Sequence, residues 1–384
     1  MLEIIRYTPE WEQQWNDFVA RAKNATFLFA RRYMDYHSDR FQDASYLFLR
    51  DGKPYALLPA NRRDDTLYSH QGLTYGGFIL GTDATTVHVM EALTLLNDTL
   101  RSEGLRRVVY KAVPWIYHSL PAEEPLYAIF RIPGCRLVER DISTAVMTTR
   151  QLRWKKDRRH AATVADRCGV RVQRSHDYAA FWQVLTDNLM QRHGVQPVHS
   201  LQEMLLLESR FPEQIQLYTA TVGDRLLAGS VVYLTPQVAH TQYIASTPEG
   251  KRSGAVDAIV RHLLNEVAIT QPFLDFGKST ETHSDQLNAS LLYQKEGFGG
   301  RAVCYDTYEW PLYLFPKVPP TTPQPSPNHP PTIPNHLIPT SLQPFSRFSP
   351  FLPHFSSVCC PFFKRTTNGQ QTDNNRTTIG QRQE

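Results

Sequence analysis

The sequence has no run of about 18 apolar residues, so it offers no membrane-spanning helix. Its opening, MLEIIRYTPEWEQQW, carries acids and lacks the apolar core of roughly 7–15 residues that a signal peptide needs. Cysteine is scarce. The five present are Cys135, Cys168, Cys304, Cys359 and Cys360, an odd number with no spacing of a metal site or redox pair. Reduced thiols in a cytoplasmic, metal-free protein are the reading this supports. The first 315 residues also lack a charge excess. They hold 35 basic and 35 acidic residues, so the net charge of +4 resides in the remainder. A neutral body argues against broad, charge-driven binding to nucleic acid.

What the tail has in excess is proline. From Phe315 onward the chain reads FPKVPPTTPQPSPNHPP and continues in that manner, a spacing that forbids long helices and central strands. Residues 315–384 are expected to be a disordered tail, and the fold to end near Leu314.

The body reads as two halves on one plan. In the first, Thr8-Pro9-Glu10 opens a helix with Thr8 as cap, and Trp11, Trp15, Phe18, Val19 and Ala22 follow at helical spacing. A second helix is expected over Ala30–Ser38. SYLFLRDGKPYALLPA is a hairpin turning at Asp51-Gly52, and HQGLTYGGFILG follows. A helix over Val87–Glu103, the strand RRVVYKAV, a helix near Leu126 and the strand CRLVERDISTAVM complete this half. The second half has a helix marked by Tyr178, Phe181, Trp182, Leu185 and Leu189, and a capping box at Ser200–Glu203. It continues with a hairpin turning at Gly223-Asp224, the strand HTQYIAS and a helix over Ala255–Ala268. The strand FLDFG, a helix over 286–296 and the strand RAVCYDTYEW close it. For that last strand, an edge and an internal position are equally open. The ordered correspondence predicts two similar α/β domains, 1–150 and 151–314.

Two stretches carry chemistry. Gly250-Lys251-Arg252-Ser253-Gly254-Ala255 runs straight into an amphipathic helix, and unpaired N–H groups at a helix start suit a pyrophosphate. Past the strand LDFG, one loop gathers Lys278, Glu281, His283 and Asp285, with Tyr293 on the helix that follows. His193 and His199 frame QRHGVQPVHS, and one of them is read as touching substrate. Two histidines without a third ligand are poor evidence for metal. Tyr75, with the close-approach glycines Gly76 and Gly77, is placed in an acceptor cleft between the domains. RQLRWKKDRRHA (Arg150–Ala161) has six basic residues against Asp157 alone, the best candidate contact for phosphate or RNA.

Strand, phosphate-type turn, helix, strand and a helix ending Tyr293-Gln-Lys295-Glu-Gly297-Phe298 together resemble the GNAT N-acyltransferases. The duplicated plan is similar to their FemAB-like branch, of the type found in Bacteroidetes. HQGLTYGGF, PVHSLQE, RFPEQIQLY, HTQYIAS, DFGKSTE and QKEGFGGRAVCYDTYE carry that resemblance over roughly residues 1–312. It implies a tandem pair of GNAT-like domains with mixed sheets flanked by helices. It implies also an acetyl-CoA or other acyl-CoA donor between the third and fourth main strands of the second domain. Tyr243, Ile244 and Ala245 would polarise the donor carbonyl, the turn Gly250–Ala255 would hold phosphates, and Asn288 would complete the donor site. Glu281 is expected as base and Tyr293 as acid, with Lys278 or His283 able to take either role. The implied reaction is acyl transfer to an amine on a sugar, peptide or cell-envelope precursor. A Fem-type enzyme using aminoacyl-tRNA, and a non-catalytic binding protein of the same fold, are the alternatives.

Overall fold

Alternation of apolar residues makes strands here, and two exchanged strands decide how they assemble. The computed structural model describes residues 1–280 and 286–313. The first half contributes β1 (Leu2–Arg6), β2 (Gln42–Asp43), β3 (Tyr46–Arg50), β4 (Lys53–Leu58), β5 (Asn61–Arg63), β6 (Thr66–Tyr68), β7 (Ile79–Leu80), β8 (Arg107–Lys111) and β9 (Arg136–Met147). Its helices are α1 (Glu12–Arg21), α2 (Arg31–Met34), α3 (Thr86–Ser102) and α4 (Glu124–Phe130). The second contributes β10 (Arg171–Ser175), β11 (Ile215–Val222), β12 (Arg225–Leu234), β13 (Val238–Ser246), β14 (Phe273–Lys278) and β15 (Arg301–Pro311). Between them run α5 (Lys156–Arg167), α6 (Tyr178–His193), α7 (Leu201–Arg210), α8 (Pro248–Arg252), α9 (Ala255–His262) and α10 (Ala289–Gly297).

Local chemistry accounts for most boundaries. Asp51 and Gly52 both take positive φ, 53° and 72°, the twist a two-residue hairpin turn needs. The capping box is made in full: Ser200 accepts from the Glu203 N–H, and Glu203 accepts from the Ser200 N–H. The start of the chain differs from expectation. Thr8 makes no side-chain cap; its hydroxyl donates to Glu10, a short 3-10 turn covers Pro9–Trp11, and the α-helix begins at Glu12.

A four-stranded sheet has the order β1-β3-β4-β7. An eleven-stranded sheet runs β10-β11-β12-β13-β14-β9-β15-β8-β6-β5-β2. The closing strand of each half crosses to the other: β9 lies beside β14, β15 lies beside β8, and the two pair with each other along most of their length. This settles the place of DTYEW, which is internal. Trp310 of β15 is fully buried in the core of the first half and donates its indole N–H to Asn97 at 3.0 Å. The central apolar cluster joins Trp15, Phe29, Tyr75 and Tyr117 of the first half to Phe181, Leu217, Tyr233 and Tyr305 of the second.

Candidate active site

Where β13 meets β14 the sheet opens. The two strands pair in parallel over three positions, ending at His240 opposite Asp275, and among the described residues no β13–β14 pairing continues past them. β13 carries on with β12 to Ser246, with an irregularity that leaves Gln242 between the partnered Thr241 and Tyr243. β14 turns toward β9, with Lys278 opposite Ser143. A wedge therefore opens outward from the His240–Asp275 pair, edged on one side by β13 backbone that has no ladder partner there among the described residues.

A cavity of about 350 Å³ adjoins the far end of β13, lined among others by Ile244, Ala245, Gly250, Lys251 and Tyr293. Five residues singled out in the sequence thus share one cavity. Asn188 of α6 anchors its floor by donating to the Ser246 carbonyl at 2.9 Å. The segment read as an open phosphate turn has more structure than expected. Pro248 starts α8, Thr247 caps it by accepting from the Gly250 N–H, and Gly254, at φ 70°, then starts α9. A Cβ at Gly254 would fall 2.1 Å from the Ala161 carbonyl oxygen, so glycine is required there by backbone approach. Ser253 is buried and bonds the Gly250 carbonyl, whereas Lys251 and Arg252 are exposed. Asp257, in the first turn of α9, also lines the cavity. Burial raises its carboxyl to about 6, and Arg158 Nη1 stands 3.2 Å from Oδ1. The positive end of α9 is thus partly answered from within the chain.

The lysine of the closing motif has a structural task. Buried Lys295 donates Nζ to the carbonyls of Gly277 and Lys278, each at 2.8 Å, and to Ser279 Oγ at 2.9 Å. It pins α10 to the end of β14. Burial lowers its ammonium to about 8. Phe298 packs on Trp154 and Phe276, and Lys155 rests over the Tyr293 ring at 3.7 Å. The basic stretch Arg150–Ala161 therefore meets the same corner of the cavity that Tyr293 lines. Tyr293 itself is 56% exposed.

The other singled-out residues lie as follows. Glu281 and His283 fall outside the described residues. Lys278 pairs with Asp141 and lies over the Tyr305 ring. The Asn288 side chain caps α10, accepting from Leu291 N at 3.0 Å. His199 is buried, shares a 2.7 Å hydrogen bond with Tyr243, and is lowered by burial to about 4, so it is neutral near pH 7. His193 is the last residue of α6. Tyr75 is buried, donates to Thr26 Oγ1 at 3.3 Å, and stacks at a tilt on Tyr117 with centroids 4.5 Å apart. Gly76 and Gly77 are buried against the Ser69 backbone and the Tyr110 ring.

Sequence reasoning missed the group at the apex of the wedge. Asp275 is wholly buried and accepts from His240 Nδ1 at 2.9 Å, Tyr305 OH at 2.7 Å, Tyr117 OH at 3.1 Å, Ser143 Oγ at 2.5 Å and its own segment's Gly277 N–H at 3.2 Å. Burial opposes its ionisation, but the His240, Ser143 and Tyr305 bonds outweigh that and hold the carboxyl below its ordinary range. Tyr305 and Tyr117 are pushed well above the usual phenol value, by burial first in both, then by Asp275 for Tyr305 and by Tyr305 and Asp275 for Tyr117, so both stay protonated donors. A signal was present: an aspartate in mid-strand in FLDFG must be paired if it is buried.

Comparison with known proteins agrees with this architecture. Residues 149–283 match the family model described as an acetyltransferase (GNAT) domain. The chain is similar to the crystal structure of FemX, with a TM-score of 0.59 at 10% identity, covering 79% of this chain and 96% of that one. It is also similar to a conserved protein of unknown function from Bacteroides thetaiotaomicron, with a TM-score of 0.54 at 10% identity, covering 82% of this chain and all of that one. A third is the C-terminal domain of a putative lysylphosphatidylglycerol synthetase from Agrobacterium fabrum, with a TM-score of 0.50 at 11% identity, covering 78% and 91%. No curated protein matches the chain. Residues 149–283 thus match a GNAT domain, and the chain as a whole has a fold like that of FemX, in line with the resemblance.

Proposed function

We propose that this GNAT/Fem-like protein is an N-acyltransferase that moves an acyl group from acyl-CoA to an amine. The observation that carries the reading is the parting of β13 and β14 after His240 and Asp275, with Ile244 and Ala245 farther along β13 lining one cavity with Lys251 and Tyr293. A thioester laid along the unpaired edge of β13 would find backbone N–H groups without a strand partner, the kind of donor that stabilises a tetrahedral oxyanion. Lys251, with Arg252 beside it, supplies cations for phosphate oxygens, while the carboxylate of Asp257 keeps the first turn of α9 a poorer anion site. Tyr293 is assigned as the acid that meets the departing sulfur, its exposed phenol edging the cavity. The acceptor class retained is an amine on a sugar, peptide or envelope precursor. The two halves, 1–150 and 151–314, are taken as two GNAT-like domains interlocked by β9 and β15.

Titration calorimetry of the full chain with acetyl-CoA, and with CoA as control, tests the donor. Micromolar binding is expected for both. Lys251→Glu should weaken it about tenfold or more, since a charge-assisted hydrogen bond contributes about 1.5–3 kcal/mol. Absence of binding at millimolar CoA would refute the acyl-CoA reading in favour of aminoacyl-tRNA. The basic stretch Arg150–Ala161 beside Tyr293 would then be the first contact to alter.

A further inference from the structure

The apex group lies where the acyl end of a donor in the wedge would arrive, and it has the parts of a proton-accepting centre. We propose that the Asp275–His240 pair is the general base of this site, taking the proton of the acceptor amine on His240 Nε2. This deepens the acyltransferase reading and rests on it.

The tautomer follows from the partners. An ionised Asp275 can only accept, so the 2.9 Å contact makes His240 Nδ1 the donor. In the tautomer with its proton on Nδ1, Nε2 is a bare lone pair. It has no hydrogen-bond partner among the described residues, although the ring is only 12% exposed. Its neighbour on the open side is Gly277, at φ 72°. A Cβ there would stand 3.2 Å from Cε1 and 3.6 Å from Nε2. Glycine leaves the space over the ring edge free, and it does so at the residue where β14 departs from β13.

The remaining groups facing His240 hold it in this state. Tyr117, from the turn after β8, stands 3.2 Å from Nδ1 and 3.0 Å from Tyr305 OH on β15. Both phenols reach Asp275 Oδ2, Ser143 of β9 reaches Oδ1, and Tyr75 packs on Tyr117. Lys278 lies over the Tyr305 ring with its ammonium paired to Asp141, so that cation is already engaged. Three donors on Oδ2 and two on Oδ1 are more than orientation of one imidazole requires. They stabilise a carboxylate that must stay ionised while the ring beside it becomes a cation. Proton transfer to a placed base of this kind contributes roughly 10²–10⁴-fold to rate.

The step balances without further reagents. The neutral amine attacks the thioester carbonyl carbon, its N–H proton passing to Nε2 as the N–C bond forms. Collapse of the tetrahedral adduct breaks C–S, and the sulfur takes up one proton, leaving amide and free thiol. His240 returns its proton to that thiolate, directly or through Tyr293 at the cavity mouth.

The test uses the full chain labelled with ¹⁵N-histidine, with His240→Gln identifying the signal. Long-range ¹H–¹⁵N spectra should show Nδ1 protonated and Nε2 bare at neutral pH, and Asp275→Asn should abolish that pattern. Saturating acetyl-CoA should move the Nε2 resonance, and CoA without the acetyl group should move it less. In parallel, thiol release from acetyl-CoA is followed with a panel of primary amines. His240→Gln should bind acetyl-CoA within twofold of wild type, yet release thiol at least 100-fold more slowly with every amine the wild type uses. Failure of acetyl-CoA to bind the wild type would overturn the acyl-CoA reading itself. Normal binding with an unmoved His240 signal, or with unchanged thiol release in His240→Gln, would overturn the base alone.

Discussion

Expressed apart, residues 1–150 and 151–384 should each fail to fold, and mixing or co-expression should restore a single cooperative species. The reason is the exchange of closing strands. Without the second half, β8 loses Thr307–Pro311 of β15, and the first core loses fully buried Trp310 together with its bond to Asn97. Without the first half, β14 loses β9 and becomes an open edge, and β15 loses both of its neighbours, β9 and β8. The central cluster, which takes large aromatics from both halves, is cut through. Removing one buried aromatic already costs about 3–5 kcal/mol, against a total stability of about 5–15 kcal/mol for a typical domain. Circular dichroism and size exclusion on the separate and recombined pieces decide the matter. A monomeric, cooperatively melting 1–150 would contradict this account.

Asp275→Ala should be the most destabilising single substitution at the site. It leaves His240 Nδ1, the two phenols, Ser143 and the Gly277 N–H without their common acceptor at a fully buried position. Breaking such a buried charged pair costs about 3–5 kcal/mol, read as a fall in the urea midpoint. The pH dependence has a definite sign. The folded carboxyl titrates below its ordinary value of about 3.9, so its contribution is complete above that value. It is lost as pH falls through the lowered folded value. Wild type should therefore lose stability on acidification through this group, and Asp275→Ala should show a flatter acid limb. An equal midpoint for the two proteins at neutral pH would show that the network is not holding the apex together.

Much of the fold was legible because it is written in local pattern. Asp51-Gly52 sets a hairpin by its backbone chemistry, Ser200 and Glu203 set a helix start by reciprocal hydrogen bonds, and the 3.6-residue spacing of Tyr178–Leu189 sets a buried helix face. The strand exchange was not legible. RAVCYDTYEW has the same alternation at an edge as in the middle of a sheet, and only its partners distinguish them. The turn at Gly250–Ala255 looked like an open loop because its glycines were weighed before Thr247 and Pro248, which start a helix across it.

The site was legible in part for the same reason. Gly250 and Lys251 were marked by the strand–turn–helix order, Tyr293 by the helix after the polar loop, and Ile244 and Ala245 by the resemblance alone; the five line one cavity. His240, Asp275, Tyr117 and Tyr305 come from four separate elements, with Tyr117 more than a hundred residues from its partners. No spacing rule joins such residues. What could have marked them is energetic: an unpaired aspartate cannot remain ionised in a fully apolar strand.

The account stands or falls on where a donor lies. A crystal structure of the full chain with acetyl-CoA should show the thioester between β13 and β14, its phosphates toward Lys251, and its acetyl carbon within reach of a nucleophile held at His240 Nε2. An acetyl group found away from the His240–Asp275 apex, or no donor in the wedge at millimolar acetyl-CoA, would contradict it.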